Sequence, residues 1–173
     1  MIVTRELPAE ALTRQDRERG AYTDCYSTDL PLPVSHAQYV EAFYTSWAFK
    51  LERFLLKWLV AKPSTDDEAR RLARGELDAF AAWTVERRER DQVLLADFMG
   101  RTKSWLMVAT LPAGHTRLYF GSVVNPVSNR AGRPSIGRKF SAMLAFHKPY
   151  SRVLLAAAAA KVTNAEPRPY QQH

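Results

Sequence analysis

The sequence predicts an α+β fold in which a curved antiparallel sheet wraps around a long C-terminal helix. The first observation is the order of segments, because a strand-like stretch over 22–29 precedes two helical segments that begin with capping residues. The second is a block over 79–126 in which apolar and polar residues alternate with the period of a strand. The third is a long helical segment near the C-terminus with one apolar stripe. A sheet that closes around a helix encloses a cavity, so this order also predicts a pocket.

The chain is long enough for one domain with a substantial core. It has 173 residues, of which 46% are hydrophobic, and this composition excludes an intrinsically disordered protein. We expect an N-terminal arm over 1–19, a single domain over 20–162 and a flexible tail over 163–173. A short helix in the arm is predicted to begin at Pro8 and to end at Gly20, and its thin apolar face predicts a peripheral position.

Composition and charge exclude several classes of site and partner. The single cysteine, Cys25, rules out an internal disulfide and a multi-cysteine metal site, and fits the cytoplasm, where we expect the protein to reside. The four histidines lack metal-ligand spacing, so no metal or other cofactor is expected. No segment approaches the roughly 20 apolar residues that span a bilayer, so no membrane insertion is expected. The net charge is +7, but charges of both signs alternate over 86–91 as on a solvated surface, and no specific nucleic acid is expected.

A capping box begins the first long helix. Ser35 and Gln38 have the spacing at which each side chain bonds the backbone of the other, which predicts a helix over 36–61 that Pro63 ends. Apolar residues recur in it at intervals of three and four, and this stripe is expected to be buried. Its members include Phe43, Trp47, Leu51 and Trp58.

Two further helices are predicted. In the shorter, Ser64 and Asp67 repeat the capping pattern, and the helix runs to Arg74 with Gly75 as its left-handed stop. The longer follows a loop over 125–138, reaches about Lys161, and is expected to bend at Pro149. Between these helices, short turns separate strands that must therefore be antiparallel neighbours. The predicted strands are 80–90, 92–98, 103–111 and 116–124.

Five short motifs occur in a fixed order along the second half of the chain. They are Trp83-Thr84-Val85, Leu94-Leu95, Trp105-Leu106, Thr116-Arg117-Leu118 and Phe146-His147. In this order the chain resembles the START-like, helix-grip superfamily, which includes polyketide cyclases, lipid-transfer domains and pollen allergens, and more narrowly one of its bacterial branches. The resemblance implies a sheet that grips the last helix and a hydrophobic cavity between them. The chain departs from the branch over 119–122, where the pattern expects a glutamine, and it shows five clear strands where full grips have six or seven.

The candidate site residues are those that such a cavity could use. His147 lies on the apolar stripe of the last helix, where it could act as acid or base or be held by a tyrosine or a carbonyl. Arg117 and Tyr119 share one strand face. If this face points inward, the two side chains could bind a polar head group. If Leu118 and Phe120 point inward instead, Arg117 and Tyr119 lie on the surface. Tryptophans could line an apolar site or simply fill the core. The candidate ligand-binding residues are Trp47, Trp83, Trp105, Arg117, Tyr119 and His147.

These observations leave three functions open. The first is binding of a small hydrophobic molecule, a lipid or a polyketide-like metabolite, with little or no catalysis. The second is a protein-interaction or structural module whose pocket is closed. The third is a cyclase-type or hydrolase-type enzyme that uses His147 as acid or base, although no catalytic constellation supports it. The cavity separates the first two, since small-ligand sites span about 300–1,000 Å³. The sequence leaves open both catalysis and the oligomeric state.

Overall fold

The computed structural model describes residues 1–50, 64–125, 127–128, 134–135 and 138–165, and for 127–128, 134–135 and 138–148 it describes the backbone alone. The helices are α1 (Arg14–Glu18), α2 (His36–Tyr44), α3 (Asp66–Ala73) and α4 (Arg138–Ala165), with helical residues at 47–50 and a 3-10 turn at Pro112–Gly114. The strands are β1 (Val3–Thr4), β2 (Tyr22–Leu30), β3 (Ala79–Phe80), β4 (Trp83–Arg88), β5 (Gln92–Asp97), β6 (Thr102–Thr110), β7 (Thr116–Val124), β8 (Val127–Ser128) and β9 (Pro134–Ser135).

Within the described residues, seven strands form one curved antiparallel sheet in the order β1-β2-β7-β6-β5-β4-β3. The helix α4 packs across this sheet against β2 and β7, and α2 packs against α4 and β6. This is the helix-grip architecture, so the predicted fold class is confirmed. No helix in the described part of the chain is both long and apolar enough to cross a membrane.

The strand predictions hold for the long strands and miss the short ones. The predicted strand 80–90 is two strands, because Ala81 has a φ of 52° and the chain reverses there to pair Phe80 with Trp83. The strand β1, which pairs with β2, was not predicted. The predicted loop over 125–138 contains the paired strands β8 and β9.

The first capping box is confirmed, but the helix that it begins is shorter than predicted. Ser35 Oγ accepts a hydrogen bond from Gln38 N at 3.2 Å, and Gln38 Oε1 accepts one from Ser35 N at 2.8 Å. The helix stops at Tyr44. The next residue, Thr45, donates from Oγ1 to Glu41 O at 2.6 Å, and a threonine side chain that bonds a carbonyl in this way competes with the backbone hydrogen bonds of the helix. Helical residues resume at 47, so one continuous helix over 36–61 is wrong; Leu51 and Trp58 lie outside the described residues.

The second box is displaced by one residue from its predicted position. Thr65, not Ser64, is the N-cap of α3, and its Oγ1 accepts from Glu68 N at 3.2 Å. The predicted end at Gly75 is confirmed, since its φ of 78° is the left-handed conformation that glycine adopts without steric cost. The last helix continues to Ala165, three residues into the predicted tail, and residues 166–173 lie outside the description.

The N-terminal arm is not peripheral as predicted. Only 14–18 is helical, but Leu7, Ala11 and Leu12 are buried on the face of the sheet that points away from α4, which we call the outer face. The reason is that a few apolar residues of the arm are enough to pack it against the sheet, because the outer face of the sheet also carries apolar side chains. The arm therefore forms a second core, whose sheet residues are Cys25, Leu94, Trp105, Met107 and Tyr119.

Candidate functional site

The face of the sheet towards α4, which we call the inner face, carries an aromatic core. Phe120 of β7 lies 4.9 Å from Phe43 of α2, measured between ring centroids. Phe43 also lies 5.8 Å from Phe49, and Phe49 lies 6.3 Å from Phe80. These rings occupy much of the space between the sheet and the helices. They form one wall of a cavity.

The cavity lies between the inner face and α4 and has a volume of about 190 Å³. Its lining is mostly aromatic and aliphatic, with a few small hydroxyl groups. The lining residues are Phe43, Phe49, Trp83, Thr102, Lys103, Ser104, Phe120, Ser122, Tyr150 and Leu154. The space is smaller than the usual range of about 300–1,000 Å³ for small-ligand sites. It is nevertheless larger than the engineered apolar cavity of about 150 Å³ that can hold benzene.

Two polar side chains of the lining have a buried atom with no hydrogen-bond partner in the described structure. These atoms are the indole Nε1 of Trp83 and the Oγ of Ser122. The backbone N of Ser122 is satisfied, since it donates to Asp24 Oδ1 at 2.8 Å. Buried polar groups in folded proteins are nearly always paired with protein, water or ligand, so these two atoms mark a place where a partner fits.

The tryptophans that the sequence nominated lie in three different places. Trp83 is half-buried and lines the cavity. Trp105 is fully buried but belongs to the outer core, where its Nε1 donates to Gln92 Oε1 at 2.9 Å. Trp47 is 67% exposed, so its predicted burial is wrong. It borders a separate surface groove of about 540 Å³ beside Lys50 and Lys161.

Arg117 and Tyr119 lie on the outer face, because Leu118 and Phe120 point into the inner core. Arg117 donates from Nε and Nη2 to the two carboxylate oxygens of Asp29 at 2.6 and 2.7 Å. This pairing lowers the pKa of Asp29. Tyr119 packs against Trp105 with ring centroids 6.0 Å apart. The sequence left two orientations of this strand open, and the structure shows the one in which Arg117 and Tyr119 point outward. Neither residue lines the cavity.

His147, the last of the candidate residues, and Cys25 contribute no described contact to the cavity. His147 lies in α4, and its side chain is outside the described structure. Cys25 is buried, and burial together with the nearby Asp24 raises the pKa of its thiol to about 12. A thiol with this pKa is not ionised near neutral pH and is a poor nucleophile. Cys25 therefore acts as a small buried apolar residue.

Sequence reasoning missed most of the residues that line the cavity. Ser104 and Ser122 are direct neighbours in the β6–β7 ladder and share the inner face. Their signal was available, since in a strand every second residue points the same way and Leu106 and Phe120 fix the inward direction. Phe49 and Tyr150 carried no comparable signal, because their position depends on how the helices pack.

A larger groove of about 750 Å³ lies at the β1–β2 edge of the sheet, beside α4. It is lined by the exposed residues Arg5, Glu6, Arg17 and Arg152 together with Asp24 and others. Arg152 is held there, since Nη2 donates to Thr4 Oγ1 at 3.2 Å and the guanidinium lies 5.6 Å from the ring centroid of Tyr26. Charges of both signs and high exposure make it a solvated groove, unlike the apolar cavity.

Comparison with known proteins gives the chain no family. No protein-family model matches it, and no curated protein matches it. Among solved structures, it is similar to the crystal structure of CalU16 from Micromonospora echinospora, with 13% identity over 94% of this chain and 96% of that one. The TM-score is 0.33, and at this value the likeness carries no argument about the site.

Proposed function

We propose that this chain is a START-like helix-grip protein that binds a small hydrophobic molecule between the inner face of the sheet and α4. The observation that carries the proposal is the cavity of about 190 Å³ in the place where a gripping sheet meets its helix. The apolar walls supply most of the contact area, and ligand sites are predominantly of this kind.

The volume favours a compact molecule about the size of one ring. An apolar cavity of about 150 Å³ accommodates benzene, whereas a long acyl chain needs considerably more room. Of the ligand types expected from the sequence, a ring-sized metabolite therefore fits the cavity of about 190 Å³ better than a lipid does.

The lining also favours a flat, rigid ligand. Phe43, Phe49, Trp83, Phe120 and Tyr150 surround the cavity with aromatic rings. Such rings pack well against other rings in offset or edge-to-face geometry. Phe43 and Phe120 are already held in the core, so binding requires little ordering of these side chains.

The experiment that tests the proposal fills the cavity. Ser104→Leu places a larger apolar side chain on the inner face, and Thr84→Leu is the matched control at an exposed position of β4. Native mass spectrometry of the purified wild-type protein is expected to show a bound small molecule. Single-ring probe compounds are expected to raise the unfolding temperature, since a ligand at 100 times its Kd stabilises by about 2.7 kcal/mol. Ser104→Leu should remove both effects, and Thr84→Leu should keep them.

A different result would support the closed-pocket module instead. If no ring compound binds the wild type, and Ser104→Leu is tolerated without loss of any interaction, the cavity is only a packing gap. The acid–base role of His147 stays a separate prediction, because no described contact bears on it.

A further inference from the structure

Trp105 and Trp83 differ in whether the indole N–H has a hydrogen-bond partner, and this difference bears on the choice of ligand. The indole N–H of Trp105 donates to Gln92 Oε1 at 2.9 Å. The indole N–H of Trp83 is buried and has no acceptor within the described structure. Tryptophan has only this one polar group, and when it is buried it usually finds a partner. The missing partner of Trp83 is therefore to be sought in what the cavity holds.

Ser122 adds a second unsatisfied group to the same lining. It is 2% exposed, and its Oγ has no partner among the described residues. A hydroxyl can donate one hydrogen bond and accept others, whereas an indole N–H only donates. A hydrogen-bond acceptor on the ligand, such as a carbonyl oxygen, is a group that either side chain can bond.

On this basis we propose that the cavity selects ring-sized molecules that carry a carbonyl or another oxygen acceptor, and that Trp83 and Ser122 are the residues that recognise the oxygen. This inference rests on the proposed function, since it assumes that the cavity is a binding site. The physical reason for selectivity is that an apolar analogue leaves both buried groups unpaired. A site that bonds a polar group of its ligand rejects an analogue without that group strongly. An apolar pocket rejects a ligand of slightly different size far less strongly.

The test compares two probes of nearly equal shape on the full-length protein. Acetophenone carries a carbonyl oxygen, and α-methylstyrene has a CH₂ group in its place. We expect the wild type to bind acetophenone at least about tenfold more tightly. Trp83→Phe keeps an aromatic ring but removes the N–H, and it should reduce the preference to within about threefold, as should Ser122→Ala to a lesser degree. Trp47→Phe, which alters an exposed tryptophan, should leave the preference unchanged.

A measurement without ligand gives an independent check. Because Trp83 has no internal partner, Trp83→Phe should lower the unfolding temperature less than Trp105→Phe, which breaks the bond to Gln92. Equal losses in the two variants would show that the N–H of Trp83 is already paired inside the protein, and would overturn the inference.

The outcomes separate this inference from the function on which it rests. Equal affinity of the wild type for both probes rejects recognition of the oxygen but leaves binding of hydrophobic molecules intact. Failure of both probes to bind rejects the two proposals together. A preference that survives in Trp83→Phe and Ser122→Ala assigns the selectivity to other residues and rejects this assignment.

Discussion

The two faces of the sheet satisfy their polar groups in different ways. On the outer face, Gln92 Oε1 accepts from Leu12 N at 3.1 Å and from Trp105 Nε1, while its Nε2 donates to Glu10 O at 3.0 Å. On the inner face, Trp83 and Ser122 each keep a buried polar atom without a partner in the described structure. The polar groups around Gln92 on the outer face are thus paired within the chain, whereas Trp83 and Ser122 on the inner face can still bond another molecule.

The arm is also fixed to the sheet by an ion cluster. Lys103 Nζ lies 2.7 Å from both Asp16 Oδ1 and Glu86 Oε1 and joins the arm to the outer face. Burial alone would lower the pKa of Lys103, but the hydrogen bonds to Asp16 and Glu86 outweigh it and raise the pKa above its ordinary value. A buried cation with two acidic partners holds the arm in one place. It does not suggest a binding site.

Packing density differs as well. On the outer face a Cβ added at Gly121 would come within 2.8 Å of the Trp105 ring and 2.7 Å of Asp24 O, so only glycine allows the ring to lie this close. On the inner face, the same strand β7 borders the cavity of about 190 Å³ through Phe120 and Ser122. One strand therefore seals one face and leaves space on the other.

The largest expected effect is the loss of Gln92 from the sealed face. Gln92→Leu keeps the volume of the side chain but leaves the buried groups of Leu12 and Trp105 without an acceptor. Each unsatisfied buried group costs about 1–3 kcal/mol, so the free energy of unfolding should fall by at least about 2 kcal/mol in urea denaturation. Ser122→Ala is the matched change on the inner face, and it should cost less than about 1 kcal/mol because no internal hydrogen bond is lost. Equal costs for the two variants would erase the difference between the faces.

The fold could be predicted from the sequence because its long elements have strong local patterns. Residues 116–124 are rich in β-branched and aromatic residues and form β7 over the same range, and Ser35 with Gln38 marks the start of α2. The short strands β1 and β3 have only two residues each, which is too few for a period to show. At the break after Tyr44, Thr45 and Ser46 each donate from the side chain to a carbonyl of α2, and no periodicity reveals this.

The site was only partly predictable, because a cavity depends on contacts between distant segments. Trp83, which the sequence offered as an aromatic residue that could line an apolar site, borders the cavity. Trp105 is also an aromatic strand residue, yet it faces the arm. Its indole N–H bonds Gln92, a residue that the sequence did not single out. Sequence patterns thus distinguish buried from exposed positions better than they distinguish one buried face from the other.

A smaller effect is expected from acid, through His36 at the start of α2. Burial lowers the pKa of His36 from 6.5 to about 4, with a further lowering from Arg88 and partial compensation by the Leu106 backbone and Asp91. The neutral form is therefore favoured in the folded chain, and between pH 6.5 and about 4 the unfolded chain takes up a proton that the folded chain does not. The free energy of unfolding should fall as the pH drops through this window, and should lose no more from this group below it.

The measurement for His36 is a difference between two proteins. Unfolding in urea at several pH values would be compared for the wild type and His36→Gln, so that the carboxylates common to both cancel. We expect the wild type to lose more stability than the variant between pH 6.5 and 4. Parallel curves would show that His36 titrates alike in the folded and unfolded chains, and that this end of α2 is open to solvent.

The smallest effect is expected at Arg117 and Asp29, which lie on the outer face but outside its sealed part. Their bidentate contact has good geometry, at 2.6 and 2.7 Å, but 44% of the Asp29 side chain is exposed. Exposed ion pairs contribute about 0.2–1 kcal/mol in double-mutant cycles, because water screens them and both side chains lose freedom. A cycle of Arg117→Ala and Asp29→Ala should give a coupling energy in this range, and the coupling should weaken in 1 M salt. A coupling above about 2 kcal/mol would mean that the pair behaves as a buried contact, and that the outer face is sealed further along β7 than the position of the arm indicates.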